Sequence, residues 1–304
     1  MAASLFHYDD GNLLTDVLPQ VISISPTDRP LLAMCGKVKA TQVVHQWPED
    51  SLAARTANAQ IEGAAYSYGA ITAPSRIANI TQILAKTFSV SGSEIASKGA
   101  GVSNMFDYQQ AKATDEFAND LELALWRQSL ASGTGSAKRQ MAGLHNFIST
   151  NLTAVASNTT LTESFFNGLV ELAWTQGGKP DAVFVGSKLK RVISSYVTQS
   201  GGRQVSISAE ENKIIMSVDA YQSDFGDLKI VLSRDMLNAV SGCSLAVLEM
   251  SRVKMAVLRS TKLVPDVPQD QDGKNGVMIG EMTLEIRAQK ACALATGLAP
   301  AFVI

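Results

Sequence analysis

The longest regular pattern of apolar and polar positions runs from Ser103 to Ser132. Apolar residues recur there at spacings of three and four, which predicts one amphipathic helix. Its apolar stripe consists of Ala113, Phe117, Leu121, Ala124 and Leu125. We expect the polar positions to face away from that stripe: Gln109, Lys112, Asp115, Asn119 and Glu122. At 1.5 Å per residue the helix would be about 40 Å long, so we expect it to act as a spine for the chain.

Two strand-like runs precede this spine helix. One runs from Lys37 to Trp47 and the other begins at Ser75, and the segment between them is small, polar and glycine-containing. This pattern predicts a long two-stranded ribbon with a flexible tip. An isolated ribbon buries too little surface to be stable, so we expect it to lie against another surface, with a neighbouring subunit as the natural candidate.

Helical and strand-like patterns alternate after the spine helix. Residues 162–176 predict an amphipathic helix, the segment GGKPDAVFVGS predicts a short buried strand, and SKLKRVISSYVTQS predicts a further helix. A strand with flanking helices is typical of a compact α/β subdomain. Strands around a turn are predicted within 205–233.

The two longest strand candidates are 245–264 and 277–290. In the second, apolar residues alternate with a set of mostly polar residues. We expect this set to form a solvent-facing side: Ile279, Glu281, Thr283, Glu285 and Arg287.

The first 40 residues show little periodicity but contain Pro19, Pro26 and Pro30. Proline and the residue before it favour extended backbone. We therefore expect an arm that is laid over another surface and held there by neighbouring chains.

Composition limits the classes of function. The chain has 304 residues, of which 46% are hydrophobic and 18% charged, which is a globular composition with room for a sizeable core. A net charge of −2 gives no basic surplus, so any contact with DNA should be weak and non-specific. The three cysteines favour small buried side chains in a reducing compartment. The segment MAASLFHYDD lacks a signal-peptide pattern and no run of 18 apolar residues occurs, so we expect neither secretion nor a membrane span.

A search for reactive groups favours a protein without an active site. His7, His45 and His145 have no partner at metal-ligand spacing, and Gly133 with Gly135 lacks the lysine of a phosphate loop. Four acidic residues suit a solvated turn: Glu210, Glu211, Asp224 and Asp227. GxSxG, HExxH and CxxC are absent. We expect no catalytic residue, no cofactor and no metal ion.

The order of the predicted elements is arm, ribbon, spine helix, α/β subdomain and returning long strands. This order resembles that of the HK97-like major capsid proteins of tailed bacteriophages. The stretches that carry the resemblance are SPTDRPLLAMCGK, HQWPEDSLA, RIANITQILAKTFSVSGSE, NDLELALW, RQMAGLHNFI, YQSDFGDLKIVLSR and GEMTLEIRAQKACALATGL. Within that group the chain is similar to the short capsid proteins without a large N-terminal scaffolding segment.

The resemblance implies an α+β capsid fold with four parts. The arm would be 1–40 and the extended loop, a β-hairpin, 41–85. The peripheral domain, a β-sheet with the spine helix 103–132, would combine 86–155 with 246–290. An α/β axial domain would combine 156–245 with 291–304.

The resemblance also implies inter-subunit contact residues. These would be Trp47, Glu62, Tyr66 and Tyr68 in the extended loop, and Pro26 and Arg29 in the arm. For Trp47 a place in the core, and for Glu62 a solvated position, are equally compatible with the sequence. The turn before the last long strand reads QDGKNG where related sequences carry a Thr-Gly-Asp type, so contacts of that loop do not transfer. Residues 56–74 contain no lysine, which predicts a shell closed without covalent cross-links.

The implied function is that of a major capsid protein, not an enzyme. It would be made in the host cytoplasm and assemble into hexamers and pentamers of the icosahedral shell that encloses the phage genome. Partners would be a portal, a separate scaffolding protein and a decoration protein, with no membrane. Three alternatives remain at this point: an encapsulin-like cellular nanocompartment shell, an α/β enzyme with an unrecognised site in 156–245, and a tail-tube or other phage structural protein.

Overall fold

The computed structural model describes residues 25–63, 65, 68–97, 104–199, 219–239, 242–264 and 272–299. The helices are α1 Pro30–Met34, α2 Gly92–Ala96, α3 Met105–Arg127, α4 Leu144–Phe147, α5 Glu163–Thr175 and α6 Ser187–Gln199. The strands are β1 Gly36–Lys39, β2 Val44–Glu49, β3 Ser75–Ile80, β4 Gln82–Ser91, β5 Leu152–Thr160, β6 Ala182–Val185, β7 Ala220–Ser223, β8 Gly226–Leu232, β9 Asn238–Ala239, β10 Gly242–Leu248, β11 Val253–Val264, β12 Gly273–Ile286 and β13 Ala293–Ala299.

Some predicted segments lie outside the described residues. They are most of the arm (1–24), the first part of the strand region 205–233, the loop 265–271 and the last residues from 300 onward. No helix among the described residues is long and apolar enough to cross a membrane.

By its internal contacts the chain divides into two compact units. The smaller comprises the described residues within Met1–Thr27, Ala85–Phe117 and Lys262–Ile279. The larger comprises those within Asp28–Leu84, Ala118–Thr261 and Gly280–Ile304. The boundaries of the arm, extended loop, peripheral domain and axial domain stay predictions.

An aromatic contact joins a strand and a helix within the smaller unit. The rings of Phe88 on β4 and Phe106 on α3 lie with centroids 5.2 Å apart. Gly276 on β12 lets the Phe88 ring approach, since a Cβ there would lie within 2.8 Å of three of its ring atoms. Strand and helix are thus joined through one phenylalanine.

The predicted spine helix is confirmed as α3, but it is shorter than expected. It begins at Met105, where the Asn104 side chain accepts a hydrogen bond from the Phe106 N–H, and ends at Arg127. Beyond the helix, Ala131 pairs with Gln140 in an antiparallel bridge.

Glu122 does not lie on a solvated face of α3, and the expectation that it would is wrong. Its side chain is fully buried, and its carboxylate accepts hydrogen bonds from the N–H groups of Leu31 and Leu32 at 3.0 and 2.7 Å and from Trp126 Nε1 at 3.1 Å. The first N–H groups of a helix have no partner inside the helix, so a carboxylate at the start of α1 satisfies two of them. The partner is about 90 residues away along the chain, which helical periodicity does not reveal.

A four-stranded sheet has the order β1-β11-β12-β4, with β1 parallel to β11. The predicted strand 245–264 is interrupted at Met250–Arg252 by a 3-10 turn, and its first part, β10, belongs to a different sheet. The solvent-facing side predicted for β12 is also wrong in its second half. Glu281, Thr283 and Glu285 are only 3%, 0% and 2% exposed, because other elements cover that face.

The larger unit contains a seven-stranded sheet in the order β5-β13-β10-β6-β8-β7, with β9 paired to β10. Helices α5 and α6 pack on one face, where Phe166 and Leu189 contribute to the same core cluster as Val183 and Val185 of β6. The predicted α/β subdomain is thereby confirmed.

The opposite face of this sheet meets the end of the spine helix. The rings of Trp126 and Phe184 lie edge to face with centroids 5.2 Å apart. His145 donates from Nδ1 to the Trp126 carbonyl at 2.9 Å, and its Nε2 lies 3.0 Å from the Ser244 hydroxyl of β10. Spine helix and sheet are therefore fixed to each other at this point.

Candidate functional site

The two-stranded ribbon predicted before the spine helix is present, but it is shorter than expected. The start of the first predicted run, β1, pairs with β11, and the end of the second, β4, pairs with β12. Strands β2 and β3 pair antiparallel in the register Val44 to Ile80 and Glu49 to Ser75. We call these two strands the ribbon base and residues 50–74, which join them, the loop tip.

Three alternate residues of β2 attach the ribbon base to the end of β12. His45 Nε2 lies 2.7 Å from Glu285 Oε2, and Trp47 Nε1 donates to the Ile286 carbonyl at 3.1 Å. Glu49 Oε1 accepts from the Ala288 N–H at 2.6 Å. Successive alternate residues of a strand share one face, so β2 presents a single polar face to β12.

β3 contributes a buried amide to the same attachment. The Asn79 side chain is 1% exposed and donates from Nδ2 to the carbonyls of Leu284 and Ala142 at 2.8 and 3.0 Å. Its Oδ1 accepts from the N–H groups of Ala142 and Ile80. An amide with all four hydrogen-bonding positions used fixes its orientation, so both strands of the ribbon base are held.

A buried carboxylate anchors the chain just beyond the ribbon base. Glu281 accepts hydrogen bonds from Thr81 Oγ1 at 2.7 Å and from Arg259 Nε at 2.8 Å, and also pairs with Arg139. Burial by itself would raise the pKa of Glu281, but these three partners outweigh it and hold the pKa below its usual range. The carboxylate therefore stays charged at neutral pH and holds together β11, β12 and the segment that contains Arg139.

The loop tip, unlike the ribbon base, is exposed to solvent. All its described residues are exposed, although it carries large apolar side chains. Leu52, Ile61, Tyr68 and Ile71 are 99%, 83%, 97% and 97% exposed. A Cβ added to Gly63 or Gly69 would meet no atom within 4 Å. The described residues of the loop tip therefore pack little against the rest of their own chain.

A cleft of about 480 Å³ lies between the start of β4 and the loop 132–140. Gln82 and Ile83 line one side, and Lys138 and Arg139 are on the loop. Because Gln82 follows β3 after a single residue, this cleft lies beside the ribbon base.

A second cleft of about 580 Å³ lies between α5 and the turn that joins β7 to β8. Its polar lining includes Glu163, Glu171 and Asp224, and the Tyr221 hydroxyl lies 3.0 Å from Glu163 Oε1. Within the described residues, no three His, Cys, Asp or Glu side chains are grouped so that they could hold a metal ion.

The structure places the predicted contact residues in three locations. Trp47 is 7% exposed in the ribbon base, where it stacks on Phe147 at a centroid distance of 5.7 Å. Glu62 and Tyr68 are exposed in the loop tip, and Tyr66 lies outside the described residues. Pro26 and Arg29 immediately precede α1, with Pro26 exposed and Arg29 half-buried.

Sequence reasoning did not identify the polar anchors of the ribbon base, which are His45, Asn79, Glu281 and Glu285. A signal was available for two of them. Glu281 and Glu285 lie in the mostly apolar stretch 277–286, and the cation nearest to them in sequence is Arg287. A carboxylate in such a strand is typical of a buried ion pair with a distant partner.

Comparison with known proteins adds to this geometry. A family model described as SU10 major capsid protein matches residues 6–299. The major capsid protein of Escherichia phage Phieco32 is 30% identical over 119 residues, which is 39% of this chain and 34% of that protein. The match thus spans about a third of the length of that relative.

Solved structures share the fold. The capsid asymmetric unit of cyanophage A-1(L) superposes with a TM-score of 0.71 at 12% identity, covering 97% of this chain and 99% of that chain. The holo-SrpI encapsulin complex of Synechococcus elongatus PCC 7942 gives a TM-score of 0.62 at 11% identity, covering 96% and 95%. At these identities the likeness shows the fold alone, which is the HK97-like capsid fold predicted from the sequence.

The family model covers nearly the whole chain, and the fold is that of phage capsids. Membership of a major capsid protein family places the chain in the virion capsid, as the resemblance implied. The chain belongs to the SU10 major capsid protein family.

Proposed function

We propose that this chain self-assembles into hexamers and pentamers, which form an icosahedral shell around a phage genome. The observation that carries the proposal is the loop tip. Among its described residues, Leu52, Ile61, Tyr68 and Ile71 are more than 80% exposed in the isolated chain. Large apolar side chains left this exposed on one loop favour an interaction site, and a second copy of the chain is the partner that shell formation requires.

The ribbon base supports the same proposal. Its side-chain contacts with the end of β12 hold the ribbon in place before any partner binds. A presented surface that is fixed in advance loses less conformational entropy on association. A rigid base with a free tip therefore suits a subunit that reaches onto its neighbour.

The charge of the chain suits a protein that packs in many copies. With a net charge of −2, copies repel one another little, and contact with packaged DNA is weak and non-specific. The chain works as a structural protein without an enzymatic role. A portal, a separate scaffolding protein and a decoration protein complete the assembly in this proposal.

Sedimentation velocity with negative-stain microscopy on the purified chain tests assembly, alone and with a scaffolding protein. We expect rings of five or six copies, or closed shells. Replacing Leu52, Ile61, Tyr68 and Ile71 together by Ser should leave a folded chain that no longer assembles. A wild-type chain that stays monomeric at high concentration in both settings would refute the proposal.

Closure of the shell is non-covalent in this proposal. The loop tip lacks lysine between residues 56 and 74, so it offers no amine for an isopeptide bond. Shells boiled in detergent should run as single chains of 32.3 kDa on a denaturing gel. A ladder of covalent oligomers would contradict this expectation.

A cellular nanocompartment shell is a second candidate, favoured by the fold shared with the encapsulin complex. The two functions differ in what the particle contains. Particles isolated from the natural source should contain DNA if the shell is viral, and a protein cargo if it is a nanocompartment. Absorbance at 260 and 280 nm, with mass spectrometry of the contents, distinguishes them.

A further inference from the structure

We propose that the cleft beside the ribbon base receives the loop tip of a neighbouring copy of this chain. In this contact Glu62 of one copy pairs with Lys138 of the next, and Ile61 packs on Ile83. The inference rests on the proposed function, because it requires that copies of the chain assemble.

The cleft is formed before a partner arrives. Backbone hydrogen bonds between Ala131 and Gln140, at 3.1 and 2.9 Å, close the loop 132–140 at its two ends. Thr134 and Ala137 hydrogen-bond across its turn at 3.1 Å. Arg139 donates to the Thr81 carbonyl at 3.0 Å and pairs with Glu281, which fixes the loop to β12. A loop held at these points keeps its shape when a ligand binds.

Lys138 supplies the charge of the cleft. Arg139 is engaged by Glu281, whereas Lys138 is exposed and forms no ion pair with the described residues. Ile83, on the opposite side of the cleft, is 43% exposed. The cleft therefore presents one cationic group and one apolar side chain to solvent.

The loop tip presents the complementary pair. Glu62 is the one charged residue between 56 and 74, and its neighbour Ile61 is 83% exposed. An acidic group next to an exposed isoleucine on the loop tip thus matches a lysine and an exposed isoleucine at the cleft. Complementary charge fixes the register of such a contact, while the apolar pair removes surface from water.

The positions of the two surfaces give the contact a direction. The loop tip lies at one end of the ribbon and the cleft at the other, so each copy donates with one surface and accepts with a different one. Such heterologous contacts close into rings when the rotation between copies allows it. The 18 residue-to-residue steps from Val44 to Glu62 span at most about 65 Å when extended, which limits the distance between the clefts of adjacent copies.

Zero-length cross-linking of assembled wild-type protein tests the contact directly. A carbodiimide activates the Glu62 carboxylate, the Lys138 amine attacks it, and an amide forms as the urea leaves. The sample is assembled from equal amounts of ¹⁴N- and ¹⁵N-labelled chains, digested and examined by mass spectrometry. We expect a 62–138 linked peptide pair in which one member carries ¹⁴N and the other ¹⁵N.

Lys138→Arg is the matched control, because it keeps the positive charge and removes the primary amine. Its shells should form normally and lack the 62–138 link. The docking site would be refuted by wild-type shells that lack the link, or by a link found only between two peptides with the same isotope label, which would lie within one chain. Either result would leave the proposed function intact. A wild-type chain that forms no shells would instead refute the proposed function.

Charge reversal provides a second, independent measurement. Glu62→Lys and Lys138→Glu should each lower the yield of shells at least tenfold, and the double variant should recover most of it. Circular dichroism of the unassembled chains controls for folding. If both single variants assemble like the wild type, the pairing of Glu62 with Lys138 is wrong.

Discussion

The imidazole of His45 on β2 lies 2.7 Å from the carboxylate of Glu285 on β12, across 240 residues of sequence. Glu285 also accepts a hydrogen bond from Arg287 Nε at 2.6 Å. Burial alone would raise the pKa of Glu285, but His45 and Arg287 outweigh it and hold the pKa below its usual range. The ribbon base is thus fastened to β12 through a charged carboxylate.

Acid should weaken this attachment. Since the pKa of Glu285 is lower in the folded than in the unfolded chain, its contribution to stability is present above the unfolded pKa, about 4.3. It is lost as the pH falls below that value. Glu285→Gln should therefore lower the free energy of unfolding at pH 7 by about 1–3 kcal/mol, and the difference from wild type should shrink at pH 3–4.

Urea unfolding of the unassembled chain between pH 3 and 7 measures this difference. Glu116→Gln is the matched control, because the Glu116 side chain is 47% exposed and its lysine partners are 3.9 Å away. That variant should change stability by less than about 0.5 kcal/mol. A Glu285→Gln variant as stable as wild type at pH 7 would show that the carboxylate does not fasten the ribbon.

Periodicity predicted those elements whose partners are nearby and apolar. Helices α3, α5 and α6 and the buried strand β6 follow directly from it. Alternation along β12 predicted that its two faces differ in polarity, but it did not reveal that the polar face is covered. The groups that cover it, His45 and Arg139 among them, come from distant segments, and a single sequence does not pair them with Glu285 and Glu281.

The same limit applies to the candidate site. The exposed loop tip, including Glu62, follows from composition, because its small and polar residues do not form a core. The sequence was equally compatible with Trp47 at an inter-subunit contact and with Trp47 in the core. In the structure its ring is buried against Phe147 of its own chain. The cleft next to Lys138 depends on how the loop 132–140 folds back on β4, which no local pattern contains.

Glu122 should show the opposite pH dependence to Glu285. Burial raises the pKa of Glu122, and hydrogen bonds from Leu32, Leu31 and Trp126 only partly oppose it. Because the pKa of Glu122 is higher in the folded than in the unfolded chain, the folded chain takes up a proton first as the pH falls from 7. Wild type should therefore gain stability relative to Glu122→Gln over this range, and the gain is complete once the pH is below the pKa of the unfolded chain. Urea unfolding at pH 5, 6 and 7 measures this trend.

Removal of the Glu122 side chain separates its charge from its hydrogen bonds. Glu122→Ala leaves the N–H groups of Leu31 and Leu32 and the indole of Trp126 without their acceptor. Each unsatisfied buried donor destabilises by about 1–3 kcal/mol, so this variant should be less stable than Glu122→Gln at every pH. Equal stability of the two variants would contradict the hydrogen-bonded arrangement.

Gly143 allows the chain to pass directly against the last turn of the spine helix. A Cβ at this position would lie 2.7 Å from the Ala124 carbonyl oxygen and 2.9 Å from the Gln128 nitrogen. Both are backbone atoms of a packed helix end, so they have little freedom to move. Gly143→Ala should lower the free energy of unfolding by about 1–3 kcal/mol, measured by urea unfolding.

Gly135→Ala is the matched control for Gly143→Ala. A Cβ at Gly135 meets no atom within 4 Å, and its backbone does not require glycine. Its stability should stay within about 0.5 kcal/mol of wild type. If both variants were equally stable, the close approach at Gly143 would not constrain the fold.

The three cysteines should be unreactive in the folded chain. Burial raises the pKa of Cys35 to about 12 and that of Cys292 to about 11, and it also raises the pKa of Cys243. The thiolate is the reactive form, so these thiols are both inaccessible and protonated at pH 8. We expect no reaction with an aromatic disulfide reagent in native buffer, and three equivalents of thiol released in denaturant.

Ser51→Cys is the control for this reagent, because Ser51 lies in the exposed loop tip. Its added thiol should react at the rate of a free cysteine while the three native thiols stay silent. Prompt reaction of a native thiol would show that the core around it opens on the time scale of the assay. Burial, and not oxidation, protects these cysteines. The native thiols should therefore stay unreactive both in protein kept in air and in protein that was first reduced and then freed of reductant.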